Sequence, residues 1–243
     1  ELVGRTFIPT LKGWEIVVQH LAVAPSVSLA LGSVAGIGAA RVATSHYSLI
    51  VKDTAQMMIA GPALVSWAGL GNVSKEELGA SKIHTGNGAI DDEVASEAEA
   101  FERTRQFLSY LPQNIHELLP IAETGDDPER RDVSLQSIVP KNPRQVFKMR
   151  DIINRVVDKD SFFEIGARWG RSIIGGFARL DGIPIAIFAE DPYVYGGAWT
   201  ADAARKLIRL IDIASIFHLP MVHLEDCPGF LIGKNAEQNL LQS

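Results

Sequence analysis

Hydrophobic residues in this chain occur either as short continuous runs or at helical spacing. The continuous runs predict five strands, which cover residues 26–31, 47–51, 172–180, 183–189 and 221–224. Helical spacing predicts three longer helices, over residues 92–111, 146–156 and 201–217. Asp91 or Asp92 is suited to cap the first of these helices. Because strands and helices alternate along the chain, the pattern predicts an α/β fold.

Only Asp181 and Gly182 separate two of the predicted strands. Both residues of a two-residue hairpin turn need a positive φ, which this pair tolerates. The pattern therefore predicts an antiparallel hairpin over residues 172–189.

Prolines are concentrated in one segment in the middle of the chain. Five of the 12 prolines fall within residues 112–143. Proline removes a backbone donor and restricts the residue before it, so such a segment favours extended chain. We therefore predict a linker over residues 120–143, between one domain at residues 1–119 and a second at residues 144–243.

The composition excludes several classes of protein. With 47% hydrophobic and 21% charged residues among 243, the chain has enough apolar residues for a sizeable core. Its net charge of −6, without a basic run, argues against a nucleic-acid or membrane-surface partner. The single cysteine, Cys227, excludes an intrachain disulfide and a cysteine-based zinc site. Because the chain begins at Glu1 instead of Met and ends within a polar helical pattern, we expect it to be a piece of a longer protein.

The most informative segment is glycine-rich and follows the first predicted strand. Residues 35–43 are mostly small and can begin a helix, and glycines between a strand and a helix expose successive amides near the helix's positive end. Such amides can hold a phosphate or an oxyanion, or the small residues can serve only close packing. A dinucleotide-binding loop fits less well, because Arg41 stands in the place of its third glycine.

The histidines point to no acid–base pair or metal centre. His20, His116 and His218 lie in apolar helical stretches, which is typical of packed structural histidines. His84 lies in a glycine-rich loop and is a candidate for lining a site. His223 and Glu225 share one face of a predicted strand, but two ligand-type residues are too few, so we expect no metal site.

Seven motifs in a fixed order resemble biotin-dependent acyl-CoA carboxyltransferases, especially the β subunits of propionyl-CoA and related carboxylases. They occupy residues 31–40, 56–62, 76–80, 162–164, 175–182, 195–197 and 226–233. The resemblance implies parts of two related crotonase-like domains, each a ββα superhelix. The first would lie on the acyl-CoA side and the second on the biotin side.

The resemblance also implies the reaction and its components. A carboxyl group moves from carboxybiotin, carried on a biotin carboxyl carrier subunit, to the α-carbon of an acyl-coenzyme A thioester. The implied partners are a biotin carboxylase, the carrier subunit and further copies of the chain, commonly in a hexamer. The implied location is the cytoplasm or the mitochondrial matrix.

The same resemblance assigns the site residues. Gly36 and Ile37 would donate the backbone amides of an oxyanion hole, and Gly61 and Pro62 would bind coenzyme A. The family usually has two adjacent glycines where Gly36 and Ile37 stand, but an isoleucine amide can serve if its φ and ψ are allowed. Four residues would lie on the biotin side: Gly196, Gly197, Gly229 and Phe230.

Other functions remain open at this stage. One alternative is an acyl-CoA decarboxylase subunit of the glutaconyl-CoA type, which runs the transfer in reverse. Another is a non-catalytic crotonase-like assembly subunit. The second oxyanion loop of the family would follow Ser243, so we expect residues 1–243 alone not to transfer a carboxyl group.

Overall fold

The computed structural model describes residues 13–142 and 144–240. Residues 1–12 and 241–243 of the two predicted domains, and Pro143 of the predicted linker, lie outside these ranges. The division into domains at 119 and 144 stays a prediction.

The part before the predicted linker contains two small parallel sheets surrounded by helices. The strands are β1 (Val27–Ala30), β2 (Ser33–Ala35), β3 (Tyr47–Val51), β4 (Gln56–Met58) and β5 (Asp92–Val94). One sheet has the order β1-β3-β5 and the other pairs β2 with β4. The helices are α1 (Trp14–Leu21), α2 (Ile37–Thr44), α3 (Pro62–Trp67), α4 (Lys75–Gly79), α5 (Ser81–Asn87) and α6 (Glu97–Leu108).

The part after it is built around one four-stranded sheet. Its helices are α8 (Met149–Val156), α9 (Ala201–Ile216) and α10 (Lys234–Leu240), and the short helix α7 (Leu135–Ile138) lies inside the predicted linker. Its strands, β6 (Phe163–Glu164), β7 (Ile173–Leu180), β8 (Ile183–Glu190) and β9 (Met221–Leu224), follow that order across the sheet. The hairpin of β7 and β8 is confirmed, with Asp181 and Gly182 at φ values of 51° and 74°. The α/β class is confirmed as well.

Aromatic side chains from both parts pack into one core. Tyr47 stacks on Phe107 with ring centroids 4.7 Å apart, and Phe163 meets Tyr47 edge-on at 5.4 Å. A partly buried ion pair also connects the parts, because Arg209 of α9 lies 2.8 Å from the buried Asp91 carboxylate. On the other face of the long hairpin, α8 packs Met149 and Ile153 into a second buried cluster.

The prediction of one helix over residues 92–111 is wrong at its start. Asp92 belongs to β5, and its carboxylate accepts hydrogen bonds from Tyr47 Oη and Arg103. The helix begins only at Glu97, where the Ser96 side chain accepts from the Glu99 amide, so neither Asp91 nor Asp92 caps it. Long-range partners of the aspartates, which local spacing does not show, decide this boundary.

Among the helices in the described ranges, none is both long enough and apolar enough to cross a membrane.

Candidate functional site

The loop at Gly36 joins the small sheet to helix α2. Gly36 has φ 61° and ψ −125°, a combination that only glycine adopts readily. Its amide donates to the Met58 and Ile59 carbonyls, at 3.2 and 3.1 Å, and its carbonyl accepts from the Ala40 amide. The Gly36 amide, one of the two predicted oxyanion donors, is therefore already bonded within the protein.

Ile37 is the first residue of α2, where the amides lack acceptors inside the helix. In the described part of the chain, neither Ile37 nor Gly38 has a backbone acceptor for its N–H. The side chain of Ile37 is 53% exposed and thus contributes little to the core. Two open amides at the positive end of a helix can stabilise a developing negative charge, and Gly38 is a donor that the sequence analysis did not single out.

Gly61 and Pro62 lie beside this loop. Gly61 precedes α3 and Pro62 is its first residue, a position where proline's missing N–H costs nothing. Ile59, whose carbonyl holds the Gly36 amide, is two residues from Gly61, so the two span at most about 7 Å. The structure thus brings the two predicted coenzyme A residues to the predicted oxyanion loop.

An apolar surface continues from this loop along α3. Ile59 is 94% exposed and Trp67 is 85% exposed. Leu64 and Leu70 add further exposed side chains. Apolar groups this exposed and this close together are typical of a surface that binds another molecule.

His84 is connected to the Gly36 loop through β4. It lies in α5, so the prediction of a glycine-rich loop at this residue is wrong. Its Nε2 is 2.5 Å from the Met57 carbonyl in β4, and its Nδ1 is buried without a hydrogen-bond partner among the described residues. His84 therefore contacts the strand that holds Gly36.

The predicted biotin-side residues lie on two loops that meet each other. The Trp199 amide donates to the Gly229 carbonyl at 3.0 Å, and the Leu231 amide returns a bond to the Trp199 carbonyl at 2.9 Å. Gly197 has φ 82°, and a Cβ there would come within 2.9 Å of the Asp226 carbonyl. The structure therefore brings the loop of Gly196 and Gly197 against the loop of Gly229 and Phe230.

Glu190, which the sequence analysis missed, lies beneath both loops. It is fully buried at the end of β8. Oε1 accepts from Trp199 Nε1 at 3.0 Å and pairs with His223 Nε2 at 2.9 Å, while Oε2 accepts from the Asp226 amide at 2.9 Å. Burial alone raises the pKa of Glu190, but these hydrogen bonds and the electrostatic attraction to His223 together outweigh burial and hold the pKa below its usual value.

This cluster also changes the expectation for His223. Its contact is with Glu190, 33 positions earlier, and not with Glu225. In residues 13–142 and 144–240, no group of three or more histidine, cysteine or acidic side chains is arranged to hold a metal ion. A polar residue directly after a buried apolar strand was the one signal that could have pointed to Glu190.

The comparisons with known proteins agree on one family. The model of the carboxyl transferase domain matches residues 16–241. The chain is 33% identical to the propionyl-CoA carboxylase beta chain of Roseobacter denitrificans, covering 88% of this chain and 42% of that protein. It is 35% identical to the methylmalonyl-CoA decarboxylase subunit alpha of Veillonella parvula, with the same coverage.

A solved structure gives the same result. The chain matches a transcarboxylase 12S hexamer, solved with methylmalonyl-coenzyme A and methylmalonic acid bound, with a TM-score of 0.85 and 27% identity. The match covers 91% of this chain and 42% of the other. The predicted crotonase-like fold is therefore confirmed, and this chain spans less than half the length of the relatives it matches.

Proposed function

Because this chain belongs to the family of carboxyl transferase domains, we propose that it is part of the carboxyltransferase component of a biotin-dependent acyl-CoA carboxylase. In the proposed reaction, the α-carbon of an acyl-CoA loses a proton and gains a carboxyl group. Carboxybiotin, carried on a partner subunit, would supply the carboxyl group and its biotin would take up the proton. The chain itself would bind and orient the two reactants.

The observation that supports this proposal most strongly is that Gly36 precedes α2 and the first two amides of this helix have no backbone acceptor among the described residues. Loss of the α-proton puts negative charge on the thioester oxygen, and open amides at a helix start stabilise that charge more than the neutral ground state. The amides of Ile37 and Gly38 suit this role. Gly36 would act mainly through its conformation, since its own amide is bonded to β4.

The neighbouring residues fit the two reactants. Gly61 and Pro62, with the apolar surface of Ile59 and Trp67, would contact the coenzyme A portion. The loops of Gly196, Gly197, Gly229 and Phe230 would face biotin. The proposed partners are a biotin carboxylase, a biotin carboxyl carrier subunit and further copies of the chain, as in the hexameric neighbour.

Transfer in the opposite direction is a second candidate. The observation that favours it is the 35% identity to a methylmalonyl-CoA decarboxylase subunit, which is similar to the identity to the carboxylase chains. In that case the same amides would stabilise the same enolate, formed by loss of the carboxyl group.

The test is transfer of a labelled carboxyl group by the full-length protein. Malonyl-CoA and methylmalonyl-CoA, carrying ¹⁴C in the free carboxylate, are incubated with the protein and a biotinylated carrier. We expect label on the carrier that depends on both protein and biotin. If the protein is folded and the carrier receives label from neither substrate, the proposal is overturned. A second incubation with ATP, bicarbonate, biotin carboxylase and propionyl-CoA separates the carboxylase from the decarboxylase.

A further inference from the structure

The two loops of the proposed biotin side both donate hydrogen bonds to one buried carboxylate, that of Glu190. Glu190 receives donors from both: the indole of Trp199 follows the Gly196–Gly197 loop, and the amide of Asp226 begins the other loop. His223, at the end of β9, supplies the third donor. A buried carboxylate with three donors stabilises one arrangement strongly, because any donor that leaves remains unpaired.

The backbone of the Gly196–Gly197 loop packs closely against Glu190. A Cβ on Gly197 would come within 3.1 Å of the Glu190 Cβ, so the loop lies directly on this side chain. The two backbone hydrogen bonds between Trp199 and residues 229 and 231 connect the loops above it. Phe230, 63% exposed, meets the Trp199 ring edge-on at 6.0 Å. The position of the exposed Phe230 ring therefore depends on Trp199, and that of Trp199 depends on Glu190.

We propose that Glu190 is a positioning residue that holds the Gly196–Gly197 and Gly229–Phe230 loops together and thereby orients the biotin side of the site. This inference rests on the proposed function, since it assumes that these loops face biotin. Glu190 itself is fully buried, so it would act through the two loops and not by contact with a reactant. Its loss should impair the use of the biotinylated carrier and leave the use of acyl-CoA nearly unchanged.

The test compares Glu190→Gln with a matched control, Asp158→Asn, in the full-length protein. Asp158 is also buried and accepts from two backbone amides, those of Asp181 and Gly182, and from the Thr124 hydroxyl. It lies at the turn end of the β7–β8 hairpin, whereas Glu190 ends β8 roughly 24 Å away. Glutamine cannot accept from all three donors, because its amide nitrogen replaces one acceptor oxygen.

We expect Glu190→Gln to raise the KM for the carboxylated carrier about tenfold, as for the loss of about 1.4 kcal/mol of binding free energy, with the KM for acyl-CoA within twofold. Asp158→Asn should leave both KM values within twofold. Equal KM changes for both reactants in Glu190→Gln, or an unchanged KM for the carrier, would overturn the inference. If the wild type still transfers the carboxyl group, the proposed function is not affected by that result.

A second measurement does not depend on activity. Amide hydrogen exchange should become faster in peptides covering residues 195–199 and 226–231 of Glu190→Gln, and in neither peptide of Asp158→Asn. Unchanged exchange in both loops would contradict the role of Glu190 even in an active enzyme. If Glu190→Gln does not fold, Trp199→Phe removes one donor and keeps an aromatic ring, and it should speed exchange in the same two loops. If the wild type is inactive but exchange is faster in the variant, the proposed function is overturned. The inference that Glu190 holds the two loops together would still stand.

Discussion

The Gly36 loop and the Glu190 cluster are held in place in different ways. At Gly36, backbone hydrogen bonds to β4 and a positive φ determine the conformation. At Glu190, one buried carboxylate collects two side-chain donors and one amide. In residues 13–142 and 144–240, no hydrogen bond or ion pair joins the two sets of residues.

This difference determines which substitutions each region tolerates. The Gly36 loop presents backbone groups, so side chains can vary wherever the backbone conformation is kept. Ile37 can therefore stand where the resembling family usually has glycine. In the Glu190 cluster the side chain itself makes the contacts, so even a replacement of equal size should matter.

The largest expected effect separates the backbone of Ile37 from its side chain. Ile37→Pro removes the amide donor and should lower turnover of the full-length protein about a hundredfold or more. Ile37→Ala keeps the amide and removes only a half-exposed side chain, so turnover should stay within about threefold. Steady-state carboxyl transfer measures both. A soluble, folded Ile37→Pro protein with normal turnover would show that this amide does not stabilise the enolate.

Gly36→Ala tests the positive φ. Among the described residues, no atom except the Ile59 carbonyl, at 4.0 Å, would meet the new Cβ, so the cost comes from backbone strain. We expect a loss of about 1–3 kcal/mol in the free energy of unfolding, measured in urea. Gly61→Ala is the control, because Gly61 has φ −72° and no atom of the described residues lies within 4 Å of a Cβ added there. Equal losses in the two variants would contradict the role given to the Gly36 conformation.

The pH dependence of stability should distinguish the Glu190 cluster from the Gly36 loop. The partners of Glu190 hold its pKa below the ordinary value despite burial, so its charge stabilises the fold above the ordinary pKa, and this contribution is lost as the pH falls through the folded pKa. The difference in unfolding free energy between wild type and Glu190→Gln should therefore shrink as the pH falls from 7 to 4. For Ile37→Ala the corresponding difference should not change with pH. A Glu190→Gln difference that is the same at pH 7 and pH 4 would contradict this account.

The smallest expected effect concerns α4, which packs against β4 behind the Gly36 loop. Ser74 caps this helix in a reciprocal arrangement with Glu77. Ser74→Ala should lower the free energy of unfolding by about 1 kcal/mol and leave the KM for acyl-CoA unchanged. A changed KM would mean that the loop depends on α4 more closely than its own backbone bonds indicate.

The same contrast explains what the sequence could predict. Glycine permits positive φ values that other residues rarely adopt, so nearby residues indicated the turn at Gly36. The contact between Glu190 and His223 joins residues 33 positions apart, and no local pattern indicates it. The helical pattern wrongly extends over the short strand β5 for a similar reason, because the side-chain partners of Asp92 are Tyr47 and Arg103, which local spacing does not indicate. Local chemistry thus predicted five of the nine strands in the described ranges, the longest helices and the glycine-rich turn at Gly36, and tertiary contacts decided the rest.

The most direct test of the proposed carboxyltransferase is a single turnover in the forward direction. A biotinylated carrier that has been carboxylated with ¹⁴C-bicarbonate, and freed of ATP and biotin carboxylase, is mixed with the full-length protein and propionyl-CoA. The account predicts that acid-stable label appears on the acyl-CoA as label leaves the carrier, in equal amounts. Release of label only as carbon dioxide, with none on the acyl-CoA, would contradict it.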